Sequence, residues 1–265
     1  MHINSMMIVA GFVAIAMAAA FGAVAIRHWR SQRRGVIEAL GLSWDLHAAL
    51  DLFAGLAITT IAMLGIFGCE RVLGAIACSA NTVAAKPALL QMTLILAGSA
   101  MAEELINRGL LLSGLTIVLG GRGRTAALLA ALLFGLFHLA NPGASALSVC
   151  GNALGGLIYG MAFVLSGRLW LPLGLHFAWN YVQGPLLGFP VSGLSAGGLL
   201  QIHDLGPIWL TGGSYGPEAG LVGILFRFLA LALLFVWVNA GPNRRRRRDF
   251  ADRNTVADSL AQPGR

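Results

Sequence analysis

Three short clusters in the chain carry side chains able to do acid–base chemistry. In Glu103-Glu104-Leu105-Ile106-Asn107-Arg108, Glu104 and Arg108 stand four residues apart, in the favourable Glu-first order for a helical ion pair. Glu103 points about 100° away on the same helix and lacks that partner. An acid kept from water and from a counter-ion suits water activation and proton shuttling. The blander alternative is a structural ion pair beside a snorkelling carboxylate. In Phe134-Gly135-Leu136-Phe137-His138, followed by Asn141-Pro142-Gly143, an imidazole closes an otherwise apolar helix. In His176-Phe177-Ala178-Trp179-Asn180, His176 and Asn180 share one helix face at i and i+4. Polar glue between helices is the alternative for both histidines.

Taken together, these residues leave two chemistries open. Glu103, His138 and His176 can form a His2Glu site for zinc or another divalent ion across three helices. Alternatively, Glu103 and His138 activate a water directly, and His176 and Asn180 donate to the developing oxyanion. HExxH and GxSxG are both absent, and Cys150 has no base nearby in sequence, so zincin and serine- or cysteine-nucleophile arrangements are disfavoured.

All three clusters sit in apolar segments, where each ionisable group costs roughly 2.5–3.5 kcal/mol to insert and is by default a functional candidate. The 265-residue chain is 57% hydrophobic and 11% charged, with mean hydropathy +0.76. That is too little polar surface for a soluble domain, in which about a quarter of residues are charged. Disorder, collagen, coiled coil and a disulfide scaffold are excluded on the same grounds. The expectation is an all-α polytopic transmembrane helical bundle of about seven spans, with eight as the alternative, around a membrane-embedded active-site cavity. The spans are Met6–Ile26, Leu50–Gly68, Pro87–Leu119, Thr125–Leu139, Leu147–Ser166, Leu169–Leu187 and Ala219–Ala240. The third is too long for one straight crossing, so it tilts, extends past the bilayer or breaks. Leu73–Ala80 is a short apolar stretch that dips in without crossing. At about 1.5 Å per residue from the assigned cytoplasmic ends, Glu103 and His138 lie roughly 20–24 Å deep and His176 roughly 10 Å, with Asn180 between.

The net charge of +7 does not point to nucleic acid, because five of the basic residues are the run Arg244–Arg248 directly after a span. Such a block is a cytoplasmic anchor and a contact for anionic lipids. Positive charge follows the first span at Arg27, Arg30, Arg33 and Arg34. Seven alternating spans then put the N-terminus outside and the C-terminus in the cytoplasm, with Arg122/Arg124 and Arg168 also inside and only Arg71 and Lys86 outside. The three cysteines, Cys69, Cys78 and Cys150, read as apolar fillers. Gly151, Gly155/Gly156 and Gly160 form a small-residue packing face. The glycine-rich 188–220 connection, which contains Trp209 and Tyr215, is long enough to be a lid or an interfacial cover. Arg227 in the last span reads as structural, and His203-Asp204 as a surface pair or gate.

EExxxR, FxxxH and HxxxN, in that order on separate spans, resemble the CPBP family of intramembrane proteases. That family includes type II CAAX prenyl endopeptidases and bacteriocin-processing or self-immunity (Abi) proteins. The resemblance implies an intramembrane endopeptidase of the CAAX-protease/bacteriocin-processing type, metallo- or glutamate-dependent, acting on a protein or peptide in or near the membrane. Carried over residue by residue, Glu103 and His138 resemble the water-activating pair, Glu104 and Arg108 the orienting pair, and His176 with Asn180 the oxyanion group. The Ala/Gly/Arg-rich composition looks like that of bacterial members, which implies a multi-pass protein of the bacterial cytoplasmic (inner) membrane. The corresponding organisation is 1–86 N-terminal spans, 87–187 catalytic core, 188–218 glycine-rich loop, 219–240 last helix and 241–265 basic tail. A non-catalytic immunity or scaffold protein and a proton-coupled transporter are the rival functions.

Overall fold

The computed structural model describes residues 5–81, 86–195 and 197–240, so the Arg244–Arg248 run and the lipid contact expected of it lie outside the described residues. In chain order the elements begin with α1 (Ser5–Ser31), α2 (Val36–Ala39), α3 (Leu46–Val72), β1 (Ile76–Ala80) and α4 (Lys86–Glu104). A π-helix (Leu105–Leu112) leads into α5 (Ser113–Val118), α6 (Gly123–Phe137), α7 (Ala146–Ser166) and α8 (Trp170–Tyr181). A second π-helix (Val182–Leu186) is followed by β2 (Leu200–Asp204), α9 (Ile208–Thr211) and α10 (Leu221–Ala240). The fold is therefore an all-α bundle, as expected. Among the described residues, six stretches are long and apolar enough to cross a membrane: 11–31, 46–72, 89–118, 123–140, 146–166 and 221–240. The long third segment does not break at a loop; it changes helical pitch at Leu105 and continues.

The expected sixth span, Leu169–Leu187, takes a different form. It is the 12-residue α8 plus its π-helical extension, and Leu171, Pro172, Leu173, Gly174, Leu175, Ala178 and Trp179 are all buried. Its hydrophobicity is spent on protein contacts rather than on lipid, which hydropathy alone cannot distinguish. The other helices show the opposite pattern. Leu90, Leu94 and Ile95 of α4 are exposed, as a lipid-facing surface should be.

Two interlocks define the ends of the bundle. At one, Arg168 makes a two-pronged ion pair with Asp45, Nη1 to Oδ1 at 2.8 Å and Nη2 to Oδ2 at 2.6 Å, and the Asp45 carboxylate also caps α3 by accepting from the Ala48 N–H. Because the 27 residues of α3 reach about 40 Å, β1 lies at the opposite end. Residues 76–80 of the short apolar stretch Leu73–Ala80 form a strand: β1 pairs antiparallel with β2, Ile76 opposite Asp204 and Ala80 opposite Leu200. This pairing carries the glycine-rich connection across that end of the bundle. Trp209 is exposed there, whereas Tyr215 is buried and accepts a 2.8 Å hydrogen bond from Asn152 of α7, so one aromatic faces outward and the other pins the cover down.

Helix α8 owes its position to glycine. A Cβ on Gly55 of α3 would stand 2.6 Å from the Leu171 carbonyl oxygen, and one on Gly174 would overlap the carbonyl oxygen of Leu52. Only small residues permit this backbone approach. Gly174→Val is therefore expected to lose about 3 kcal/mol of stability through overpacking and to shift His176, two residues on. Thermal unfolding in detergent checks this, and an unchanged midpoint contradicts the interlock.

Candidate active site

Glu103 and Glu104 sit where α4 gives way to the π-helix, a device often found at functional positions. They diverge as helical phase requires. The Glu104 side chain is 0% exposed and that of Glu103 38%. Glu104 Oε1 accepts from Arg108 Nη1 at 3.0 Å and from His176 Nδ1 at 2.7 Å, while Oε2 has no partner. The expected Glu104–Arg108 pair is present, and Arg108 Nη2 also donates to the Gly156 carbonyl at 3.2 Å. Glu103 is less isolated than its phase alone suggests. Its Oε1 accepts from Ser99 Oγ at 3.2 Å, and its Oε2 lies 3.9 Å from His176 Nε2.

That 3.9 Å separation corrects the depth count, which placed His176 well short of Glu103. The count assumed that each span starts from the same plane and runs straight. Helix α8 is instead an inner helix set beside α3, and its first residues are already buried. His176 lines the cavity with Asn180 and also holds Glu104 through Nδ1. With Nδ1 donating to Glu104, Nε2 carries a proton only when the ring holds both. Asn180 needs no such change of state to donate.

His138 ends α6. Its Nδ1 donates to the Phe134 carbonyl at 2.7 Å, since a carbonyl can only accept. This fixes the tautomer of the neutral ring and leaves Nε2 as the acceptor. The Phe134 ring explains its own place in FxxxH. It packs on the His138 ring with centroids 4.5 Å apart, meets His176 edge-on at 6.2 Å and lies 4.8 Å under the Arg108 guanidinium.

One cavity of about 320 Å³ joins these groups. Glu103, His138, His176 and Asn180 line it; Glu104 and Arg108 stand behind the wall. Its remaining polar lining comes from Asn141, which follows FxxxH, and from residues that motif reading passed over or left out: Ser99, Asn152, Tyr159, Ser192, Glu218 and Arg227. Tyr159 stacks on His176 with rings 4.8 Å apart and 13° from parallel. The glycine-rich cover contributes Val191, Ser192, Leu194 and Glu218, and Asn141 Nδ2 holds it by donating to the Ser192 carbonyl at 3.0 Å. Arg227, expected to be structural, is part of the cavity wall. The missed signal was a joint one: an arginine in a very apolar span, a Trp within HFAWN and a glycine at 155.

Among the described residues no three His, Cys, Asp or Glu side chains form a group able to hold a metal ion. The Nδ1 atoms of His138 and His176 are committed to Phe134 and Glu104, which leaves Nε2 of each ring as the atom able to ligate.

Residues 85–182 match the family described as type II CAAX prenyl endopeptidase Rce1-like. All three motifs fall inside that segment, so the match agrees with the CPBP resemblance and, at family level, supports a CAAX-type intramembrane protease. No curated protein matches the chain, and no solved structure does.

Proposed function

We propose that the chain is an intramembrane endopeptidase that hydrolyses a peptide bond with water activated by Glu103 and His138. The observation that carries this reading is the division of labour between adjacent carboxylates: Glu103 faces the cavity while Glu104 is locked to Arg108 and His176. In the proposed step, the Glu103 carboxylate takes a proton from water as its oxygen attacks the scissile carbonyl carbon. His138 Nε2 accepts a hydrogen bond from the same water and orients it. Asn180, and His176 when doubly protonated, donate to the oxyanion. Collapse of the tetrahedral intermediate breaks the C–N bond, and Glu103 returns its proton to the leaving amine. No step passes through a metal.

The segment 87–187 is the proposed catalytic core, completed by the 188–218 cover and by Arg227. The six apolar helices and the family match make this a multi-pass membrane protein. The basic residues favour the orientation with the Arg168–Asp45 end in the cytoplasm, which puts the glycine-rich cover on the outer side. The test is reconstitution of the full chain in liposomes with single-span membrane peptides, run in heavy-oxygen water. One labelled oxygen in the new carboxylate of a cleaved product is the expected result. Intact peptides across a broad set count against the reading and leave the immunity and transport alternatives.

A further inference from the structure

Arg227 poses a problem that the hydrolytic machinery does not solve. It lies in the second turn of α10, a helix otherwise apolar as far as Val238, and is 2% exposed. A buried guanidinium in a membrane helix is normally paired with an acid or with backbone carbonyls. The ion pairs among the described residues are Arg34–Glu38, Arg108–Glu104, Arg168–Asp45 and those of His176, and Arg227 is in none of them. Its Nε has no acceptor.

What surrounds Arg227 is a built receptacle. The guanidinium carbon lies 3.9 Å from the centre of the Trp179 ring, a cation–π contact that fixes its plane. It donates to the Tyr159 hydroxyl, whose ring is stacked on His176. A Cβ on Gly155 would overlap Nη1, so the small residue expected for helix packing also makes room for the cation. Glu218, the acid facing it, is held elsewhere: Gln183 Nε2 donates to its Oε2 at 2.7 Å, and the Ser192 N–H and hydroxyl each lie 3.3 Å from Oε1. Burial pushes the Glu218 carboxyl above the usual carboxylate range, against the opposing pull of Arg227 and the hydrogen bonds it accepts. The cation thus faces the cavity without a direct ion pair among the described residues.

We propose that Arg227 binds a carboxylate of the peptide substrate, so that the cavity selects peptides carrying a free carboxylate. The guanidinium fork suits that planar group, which it can take in a two-pronged arrangement. Tyr159 links the docked group to the His176 ring. The carboxylate comes from the chain terminus or from an acidic side chain. The proposal deepens the protease reading by naming a property of its substrate, but its test reads binding and not cleavage.

The experiment uses the purified full chain carrying Glu103→Gln, which removes turnover. Three probes are compared by ligand-induced thermal stabilisation and titration: N-acetyl-Leu-Ala-Leu with a free terminal acid, its terminal amide, and N-acetyl-Leu-Ala-Asp amide. The free acid is expected to bind roughly tenfold or more tightly than the amide, the discrimination a charged hydrogen-bonded pair supplies. If the Asp-containing amide matches the acid, side chains serve as well as termini; if it matches the plain amide, only the terminus is read. Adding Arg227→Gln is expected to bring all three within about twofold of one another, and Arg227→Lys to keep part of the preference because the charge remains without the fork. Equal binding of acid and amide by the parent chain, or no binding of any probe, overturns the proposal. Neither comparison depends on a variant at Arg227 folding. Preferential binding of the acid by a chain that cleaves nothing leaves the inference standing while the protease reading falls.

Discussion

Glu103→Gln is expected to lower kcat/KM by about a thousandfold or more, with the unfolding midpoint nearly unchanged. The two halves of that expectation have separate causes. A carboxamide keeps the size of the side chain and can still make hydrogen bonds, but it cannot take a proton from water. The side chain is 38% exposed towards the cavity and has one close side-chain donor, Ser99, so little folding energy depends on its charge. His138→Ala is expected to fall to a similar rate. Combining the two substitutions adds little, because residues that act as one unit give non-additive losses. The loss should appear in kcat more than in KM if the interaction is made mainly in the transition state. Initial rates on any peptide the parent chain hydrolyses, measured beside the single and double variants, decide the matter. Retention of more than a tenth of parent activity by either single variant removes that residue from the water-activating role.

The neighbouring acid makes a useful contrast, and it shows what a linear reading can recover. That Glu103 and Glu104 diverge, and that Glu104 meets Arg108, follows from helical arithmetic, because both relations lie within one turn. That His176 joins Glu104 does not follow, since the two lie on α4 and α8, far apart in sequence, and α8 is seated against α3 by the close approach at Gly55 and Gly174. The π-helix at Leu105–Leu112 left no compositional trace, because Leu, Ile and Gly serve either pitch equally. Nor did the β1–β2 pairing. Ile76–Ala80 meets Leu200–Asp204 across more than a hundred residues, and neither five-residue segment announces a partner. Arg227 was visible as a residue out of place, but its position in the cavity wall was not. Its consequence lies in the lack of a direct ion pair among the described residues, and that is a property of three-dimensional neighbours. The motif residues were legible because each carries its chemistry within a local spacing. The cavity's far wall was not, because Asn152, Tyr159, Glu218 and Arg227 come from three elements and acquire meaning only together.

Arg108→Ala is expected to destabilise the protein by about 3–5 kcal/mol and to abolish hydrolysis, although Arg108 does not line the cavity. Removing the guanidinium takes one of two donors from Glu104 Oε1 and leaves a fully buried carboxylate whose Oε2 is already unpartnered. It also removes a donor from the Gly156 carbonyl and a cation from between the Phe134 and Tyr159 rings, which lie 4.8 and 5.2 Å away. Those rings flank His138 and His176, so the disturbance reaches both imidazoles through direct contacts. Arg108→Lys keeps the charge but not the fork, and should recover stability more fully than activity. The paired replacement Glu104→Leu with Arg108→Met separates charge burial from positioning. Exchanging a buried ion pair for apolar side chains of similar size is often neutral for stability or better, so the double variant should unfold near the parent temperature. It should still be inactive, because His176 Nδ1 has lost the acceptor that sets its ring. A double variant that is both stable and active means that Glu104 and Arg108 merely fill space. One that is stable and inactive means that the pair sets the orientation of His176 beside Glu103.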